Sequence, residues 1–234
     1  MRNHMTRLIV AAICPLFGAG ASHSSADVLV QYDFQTQSLS PSDSDANVVT
    51  NPLVQTFAAT QGSGASNWTF RGSFYLGVQV QTTPSALDTN EYFEVTVAPA
   101  PGYTLDLSTL TFNGRYENSA VLPVNYWVRS DADGDNFATN LATTDPTPSS
   151  NPALSLSSDG QLATIDLSGS AFQDLSSAVT FRIYMADNSA SNSDTRWSGI
   201  DNITLNGSST IPEPASLALA GAGLMLIAGR RWRV

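Results

Sequence analysis

The feature that most constrains the fold is a period-two alternation of apolar and polar residues in short stretches along the chain. In "VLVQYDF" this alternation places Val28, Val30, Tyr32 and Phe34 on one face. The same pattern recurs in "SFYLGVQV", "YFEVTV" and "VTFRIYM". In the last two stretches the residues aligned on one face are Phe93, Val95 and Val97, and Val179, Phe181, Ile183 and Met185, respectively. Successive side chains of a strand point to opposite faces of a sheet, so each stretch is predicted to be a strand with one buried face.

The segments between these stretches are rich in Ser, Asn, Asp, Pro and Gly, as in "TQGSGASN" and "TTDPTPSSNP", which is typical of turns and loops. The body contains no stretch with amphipathic helical spacing. We therefore predict an all-β fold, a single jelly-roll-like β-sandwich over residues 27–209. A division into two domains near residues 145–152 is the alternative, and one domain is favoured because each half would be a small all-β unit.

The N-terminus has the features of a secretory signal peptide. Arg2 and Arg7 precede the apolar stretch "LIVAAICPLFGAGA", which is followed by the small residues of "SHSSA". A basic region, an apolar region and a small-residue cleavage site predict that residues 1–26 are removed on export. Cleavage after Ala26 is favoured, and cleavage after Ala21 is the alternative.

A second apolar run, residues 215–229, lies near the C-terminus. At ~1.5 Å per residue a helix of this length spans roughly 22 Å, less than the ~30 Å hydrocarbon core of a bilayer. Arg230, Arg231 and Arg233 follow it directly and are suited to the lipid headgroups. We predict a short transmembrane helix over this run, flanked by these three arginines. A buried core helix is disfavoured because the run is apolar all round.

The positions of the histidines and the cysteine exclude several kinds of chemistry. His4, His23 and the single cysteine, Cys14, all lie before the predicted cleavage site, and the chain contains no lysine. The exported chain therefore lacks imidazole, thiol and amine side chains, which rules out nucleophile–histidine pairs, Schiff bases, Cys/His zinc sites and internal disulfides.

The body is strongly acidic. Residues 27–210 contain nineteen carboxylates and five arginines, a net charge of −14, which argues against binding to nucleic acid. Of the carboxylates, Glu91 and Glu94 are three residues apart on a predicted strand, so they point to opposite faces and do not form a glycosidase pair. We expect no catalytic residues, no enzymatic activity and no cofactor, with calcium as the one candidate ligand.

The calcium candidate is the stretch "SDADGDNF", in which Asp131, Asp133 and Asp135 place three carboxylates in five residues. Alternate carboxylates in a turning loop can converge on a hard cation. The loop departs from the EF-hand pattern, since Asn136 stands at its sixth position and Ala142 at its twelfth. The favoured interpretation is a solvated acidic turn.

Three tryptophans, Trp68, Trp127 and Trp197, are candidate contacts for a glycan, because sugars stack on flat aromatic faces. Trp127 follows Tyr126 on a predicted strand, so one of the two should face outward. The competing interpretation, which is favoured, places the tryptophans in the core or over a sheet edge.

An irregular strand is predicted in "WSGIDNITL". The step from Ile200 to Ile203 breaks the period of two, which suggests a β-bulge at Asp201 and Asn202. A structural role for Asp201 is favoured over cation binding.

The tail "IPEPASLALAGAGLMLIAGRRWRV" resembles the PEP-CTERM sorting signal, which combines Pro-Glu-Pro, a short transmembrane run and arginines. The resemblance implies that residues 211–234 form the signal and that an exosortase, a membrane-embedded processing enzyme, reads Pro212, Glu213 and Pro214. It also implies an exported protein that is membrane-anchored, or lies at the cell surface or outside the cell after processing.

The body resembles proteins that commonly carry this tail, in the stretches "LVQYDF", "YFEVTVAPAPGYTLDLSTLTF", "YWVRSDADGDNFATNL", "IDLSGSAFQDLSSAVTFRIYMAD" and "RWSGIDNITLNG". This resemblance implies a link to surface or exopolysaccharide material. We therefore expect a non-enzymatic exported surface or extracellular-matrix protein. The alternative is an exopolysaccharide-associated glycan-binding β-sandwich module, for which calcium is a candidate ligand.

Overall fold

The structure is a computed structural model that describes residues 27–56, 68–71, 75–80, 89–116, 124–141, 154–156, 160–187 and 196–212. The predicted signal peptide, the predicted helix 215–229 and its three flanking arginines lie outside these ranges, as do Glu213 and Pro214. Across the described ranges no helix has the length and apolar character needed to span a bilayer.

The described residues form thirteen strands and two short 3-10 turns, so the all-β prediction is confirmed. The strands are β1 (Asp27–Tyr32), β2 (Asp43–Ser44), β3 (Val48–Thr50), β4 (Val54–Gln55), β5 (Trp68–Arg71), β6 (Tyr75–Val80), β7 (Tyr92–Pro99), β8 (Thr104–Tyr116), β9 (Val124–Ser130), β10 (Leu154–Leu156), β11 (Leu162–Asp166), β12 (Val179–Asp187) and β13 (Arg196–Thr210). The 3-10 turns are Ala132–Gly134 and Ser170–Phe172.

The strands form two antiparallel sheets. The first has the order β11-β8-β13-β1-β2, with β6 pairing along the first part of β13 and β5 pairing with β6. The second has the order β10-β9-β12-β7-β3, with β4 also pairing with β7. The finer prediction, a jelly-roll connection of these strands, stays a prediction.

The two sheets share one hydrophobic core, as expected for a sandwich. Across the interface, the rings of Phe112 and Tyr126 have centroids 5.3 Å apart, and the Tyr126 hydroxyl donates to the Gly199 carbonyl at 2.8 Å. The predicted inward faces of β7 and β12 are confirmed, since every member is buried: Phe93, Val95, Val97, Val179, Phe181, Ile183 and Met185.

The predicted inward face of β1 is wrong at its first residue. Val28 is 39% exposed, whereas Leu29 and Val30 are both buried. The pairing of β1 with β13 shifts register between Val28 and Val30, and the extra residue turns Leu29 inward next to Val30. Tyr32 and Phe34 are buried as predicted.

The predicted bulge in β13 is confirmed. Ile200 and Ile203 are both buried, and the pairing with β8 shifts register between Asp201 and Thr204. Asn202 has a positive φ of 49°, and its backbone N–H donates to Oδ1 of the buried Asp201 at 2.8 Å. Asp201 therefore supports the bulge from within the sheet.

Candidate functional site

Two regions contain most of the described residues that the sequence analysis named as site candidates. One is the acidic loop, residues 131–141, together with the outer face of the second sheet beneath it. The other is the C-terminal end of β13, where the sorting motif begins.

The acidic loop is held at its start by Asp131. Its backbone N–H donates to the Thr180 carbonyl at 3.2 Å, and its Oδ1 accepts the Thr180 N–H at 2.7 Å. This pair of bonds extends the contact between β9 and β12 by one residue beyond the strand. The carboxylate of Asp131 thus satisfies a backbone donor of the sheet.

Asp135 organises the second half of the loop. Its Oδ2 accepts hydrogen bonds from the hydroxyl and the backbone N–H of Thr139, the latter at 2.8 Å. These bonds stabilise the charged form and lower the pKa of Asp135 below its ordinary value. The part of the loop that the structure describes is therefore built around the charged form of this carboxylate.

No group of three metal-ligating side chains occurs among the residues that the structure describes. The side chain of Asp133 lies outside them. Asp131 and Asp135 each accept hydrogen bonds from the backbone, as described above. Calcium binding at Asp131, Asp133 and Asp135 stays a prediction.

Beneath the loop, an arginine lies between two aromatic rings. The guanidinium carbon of Arg182 is 4.2 Å from the ring centroid of Tyr92 in β7 and 3.8 Å from that of Phe137 in the loop. Arg182 Nε also donates to Glu94 Oε2 at 2.8 Å. We call Arg182, Glu94, Tyr92 and Phe137 the arginine stack.

The strand register creates the arginine stack. Arg182 of β12 is paired directly with Glu94 of β7 on one side and with Arg129 of β9 on the other. Burial would lower the pKa of Arg182, but the hydrogen bond with Glu94 and further contacts outweigh it and raise this pKa. The hydrogen bond with Glu94 and these contacts therefore stabilise the charged guanidinium on the half-buried outer face of the second sheet.

The loop is fastened to the same face by Arg129. Its Nε donates to Asn140 Oδ1 at 2.7 Å, and its Nη1 donates to the Phe137 carbonyl at 3.0 Å. Asn136 and Phe137 have positive φ values of 50° and 61°, a conformation that costs energy for residues with a Cβ. The contacts of Arg129 and Arg182 with Phe137 offset that cost.

Trp127 faces outward while Tyr126 faces the core, as the alternation predicted for one of the two. However, Trp127 is only 6% exposed and packs with Tyr184 and Tyr92. It therefore does not offer an open ring face for a sugar. The backbones of Trp68 and Trp197 lie in β5 and β13, and their side chains are outside the described residues.

The sorting motif begins where the sandwich ends. Thr210, the last residue of β13, is paired with Thr104, and their hydroxyls are 3.0 Å apart. The next two residues, Ile211 and Pro212, are exposed. The first residue of the Pro-Glu-Pro motif is thus accessible within two residues of a paired strand.

The comparison with protein families concerns this end of the chain. Residues 210–233 match the PEP-CTERM protein-sorting motif, which confirms the identification made from the tail. The motif implies export, association with the cell surface or membrane, and processing by an exosortase. Comparison with curated proteins gives no match.

Among solved structures, the chain is similar to the K3 cleaved adhesin domain of Lys-gingipain from Porphyromonas gingivalis w83. The two are 16% identical, the alignment covers 78% of this chain and 100% of the adhesin domain, and the TM-score is 0.38. A similarity this distant gives no basis for assigning an activity or a ligand to this chain.

Proposed function

We propose that the protein is a non-enzymatic surface or extracellular-matrix protein whose β-sandwich is the delivered part and whose C-terminal segment is the delivery signal. The observation that carries this proposal is the position of the sorting motif, which starts at the last residue of β13. An enzyme that reads Pro212, Glu213 and Pro214 would meet an exposed segment next to a folded domain.

The proposed topology follows from the two apolar runs. The signal peptide leads the body out of the cytoplasm, and Arg230, Arg231 and Arg233 keep the far end of the helix 215–229 on the cytoplasmic side. The sandwich then lies outside and the Pro-Glu-Pro segment lies at the outer membrane face. The exosortase cuts there, and the sandwich is released from the helix.

Replacing Pro212, Glu213 and Pro214 by alanine in the native host tests this proposal. The triple variant is expected to be exported and to keep its tail, so that it stays in the membrane fraction while the unaltered protein does not. Pro101→Ala, at another exposed proline, is the matched control and should be processed normally. Equal processing of the triple variant and the control would contradict the proposal.

The second candidate is a glycan-binding module associated with exopolysaccharide. Its structural support is the outer face of the second sheet, where the half-buried Tyr92, Glu94 and Arg182 lie side by side, with the Arg182 guanidinium over one face of the Tyr92 ring. Retention of the purified sandwich on exopolysaccharide from the native host tests this candidate. Retention that Tyr92→Ser abolishes while the fold is kept would support it, and no retention would exclude it.

A further inference from the structure

The first and last strands of the sandwich bring the two ends of the described chain to one place. Asp27, the first residue of β1, is paired with Gly207 of β13 in the antiparallel register. Directly paired residues of antiparallel strands have Cα atoms about 5 Å apart. Thr210, where the sorting motif begins, follows Gly207 by only three positions. The chain therefore enters β1 and leaves β13 at the same end of the sandwich. The predicted signal-peptide cleavage site and the Pro-Glu-Pro segment follow from these two neighbouring points.

The spacers between the sandwich and the two apolar runs are short. Residues 22–26 connect the first run to Asp27, and residues 211–214 connect Thr210 to the second run. At full extension these segments reach at most roughly 18 Å and 14 Å, respectively. Neither spacer is long enough for the sandwich to invert and bring its opposite end to the membrane.

Hydrogen bonds hold the end of β13 in place, so fraying does not readily lengthen the spacer. Ser209 is paired with Leu105 and its Oγ accepts a hydrogen bond from Asn47 Nδ2 at 3.1 Å. The Asn47 carbonyl in turn accepts the Ala100 N–H at 2.8 Å. This links β13 to the second sheet at the very end of the sandwich. We call this surface, residues 27, 45–47, 100–104 and 208–210, the termini end.

The termini end carries Asp27 and Asp45 and no arginine or lysine among its residues. Anionic lipid would therefore not attract it. Any approach of this surface to a membrane is set by the short spacers and not by charge.

We infer that, in the exported chain before its tail is cut, the sandwich is held with the termini end facing the outer surface of the membrane, so that the new N-terminus and the Pro-Glu-Pro segment lie side by side beneath it. The partner of this surface is the lipid bilayer that holds the second apolar run. The inference rests on the proposed function, because it requires residues 215–229 to be inserted in the membrane.

Energy transfer from single-cysteine positions to labelled lipid tests this orientation. The chain has no cysteine after residue 26, so an introduced cysteine is a unique label site in the exported chain. Ala46→Cys labels an exposed position at the termini end, and Leu162→Cys labels an exposed position on the edge strand β11. Leu162 pairs with Asn113, nine residues along β8 from the Thr104 that pairs with Thr210, which places the two sites roughly 30 Å apart.

The exported chain with its tail intact is labelled, reconstituted into vesicles that contain acceptor-labelled lipid, and checked for an unchanged unfolding midpoint. Transfer from position 46 is expected to be several-fold stronger than transfer from position 162. A flexible insert of about twenty Gly and Ser residues after Ile211 should remove most of that difference, because it lengthens the spacer severalfold. Equal or reversed transfer without the insert would overturn the inference and leave membrane anchoring intact. Absence of transfer at both positions would contradict the anchoring itself, and the inference with it.

Discussion

Arg182 Nε donates a hydrogen bond to Glu94 Oε2 at 2.8 Å, joining two residues that lie 88 positions apart in the chain. The side chains are 26% and 20% exposed, so the pair is shielded more than a surface salt bridge. The same guanidinium contacts the rings of Tyr92 and Phe137. This single side chain thus ties β12, β7 and the acidic loop together.

Arg182→Lys keeps the positive charge and removes the planar group that contacts both rings. We expect it to lower the free energy of unfolding by about 1–2 kcal/mol, through lost cation–π contacts and a weaker hydrogen bond. Urea unfolding of Arg182→Lys, Glu94→Gln and the double variant measures the coupling between the two residues. Strictly additive losses would show that the two side chains do not act as a pair.

Gly207 is expected to tolerate no side chain. A Cβ at this position would lie 2.8 Å from Leu29 Cδ1 and 3.0 Å from Leu107 Cα, and closer still to the Asp106 carbonyl oxygen. Gly207→Ala should therefore destabilise the sandwich by about 2 kcal/mol or more, because backbone on the neighbouring strand must move. Gly169→Ala is the matched control, since a Cβ there has no atom within 4 Å. Equal unfolding midpoints for the two variants would contradict the close packing at Gly207.

Stability should fall at alkaline pH because of Tyr32. This buried phenol donates to the Asn51 carbonyl at 2.7 Å, and burial raises its pKa above the ordinary 10.0 despite the Thr50 hydrogen bond. Its contribution to the free energy of unfolding is fully present below about pH 10 and is lost as the pH rises through the higher, folded-state value.

Urea unfolding between pH 8 and 11 checks this expectation. Tyr32→Phe should lower stability at pH 8 by about 1 kcal/mol, from the lost hydrogen bonds, and flatten the alkaline decline. Tyr103→Phe, at a half-buried tyrosine in a turn, should keep the decline. An unchanged decline in Tyr32→Phe would show that other groups cause it.

The acidic loop is expected to depend on Asp135 rather than on a cation. Asp135→Asn removes the charged acceptor of both Thr139 hydrogen bonds, so the Thr139 amide should exchange with solvent faster. Millimolar calcium should leave the unfolding temperature unchanged. A rise with calcium that is lost in the Asp133→Asn, Asp135→Asn double variant would instead establish a cation site.

Local patterns predicted most of the fold. Alternation identified the buried faces of β7 and β12, and the irregular Ile200 to Ile203 step located the bulge at Asn202. The bulge in β1 was missed because Val28, Leu29 and Val30 are all apolar, so the pattern alone does not say which of them face inward, and Leu29 turns inward only through the shifted pairing with β13.

The arginine stack was beyond prediction because it depends on contacts between distant segments. Nothing near Arg182 in the sequence specifies that Glu94 will lie opposite, and the position of Phe137 depends on the positive φ of a non-glycine residue. Only the alternation of polar residues on β7 and β12 indicated an outer face. Trp127 was singled out for its chemistry, but packing with Tyr184 and Tyr92 covers it.

The intact mass of the protein isolated from its native host is the most direct test of the central claim, that the chain is exported and sorted through its C-terminal motif. We expect a mature chain that begins at Asp27 and ends within residues 212–214. A start at Ser22 would select the alternative signal-peptide cut and leave this claim unaffected. A mass that still includes Val234 would contradict processing at Pro-Glu-Pro.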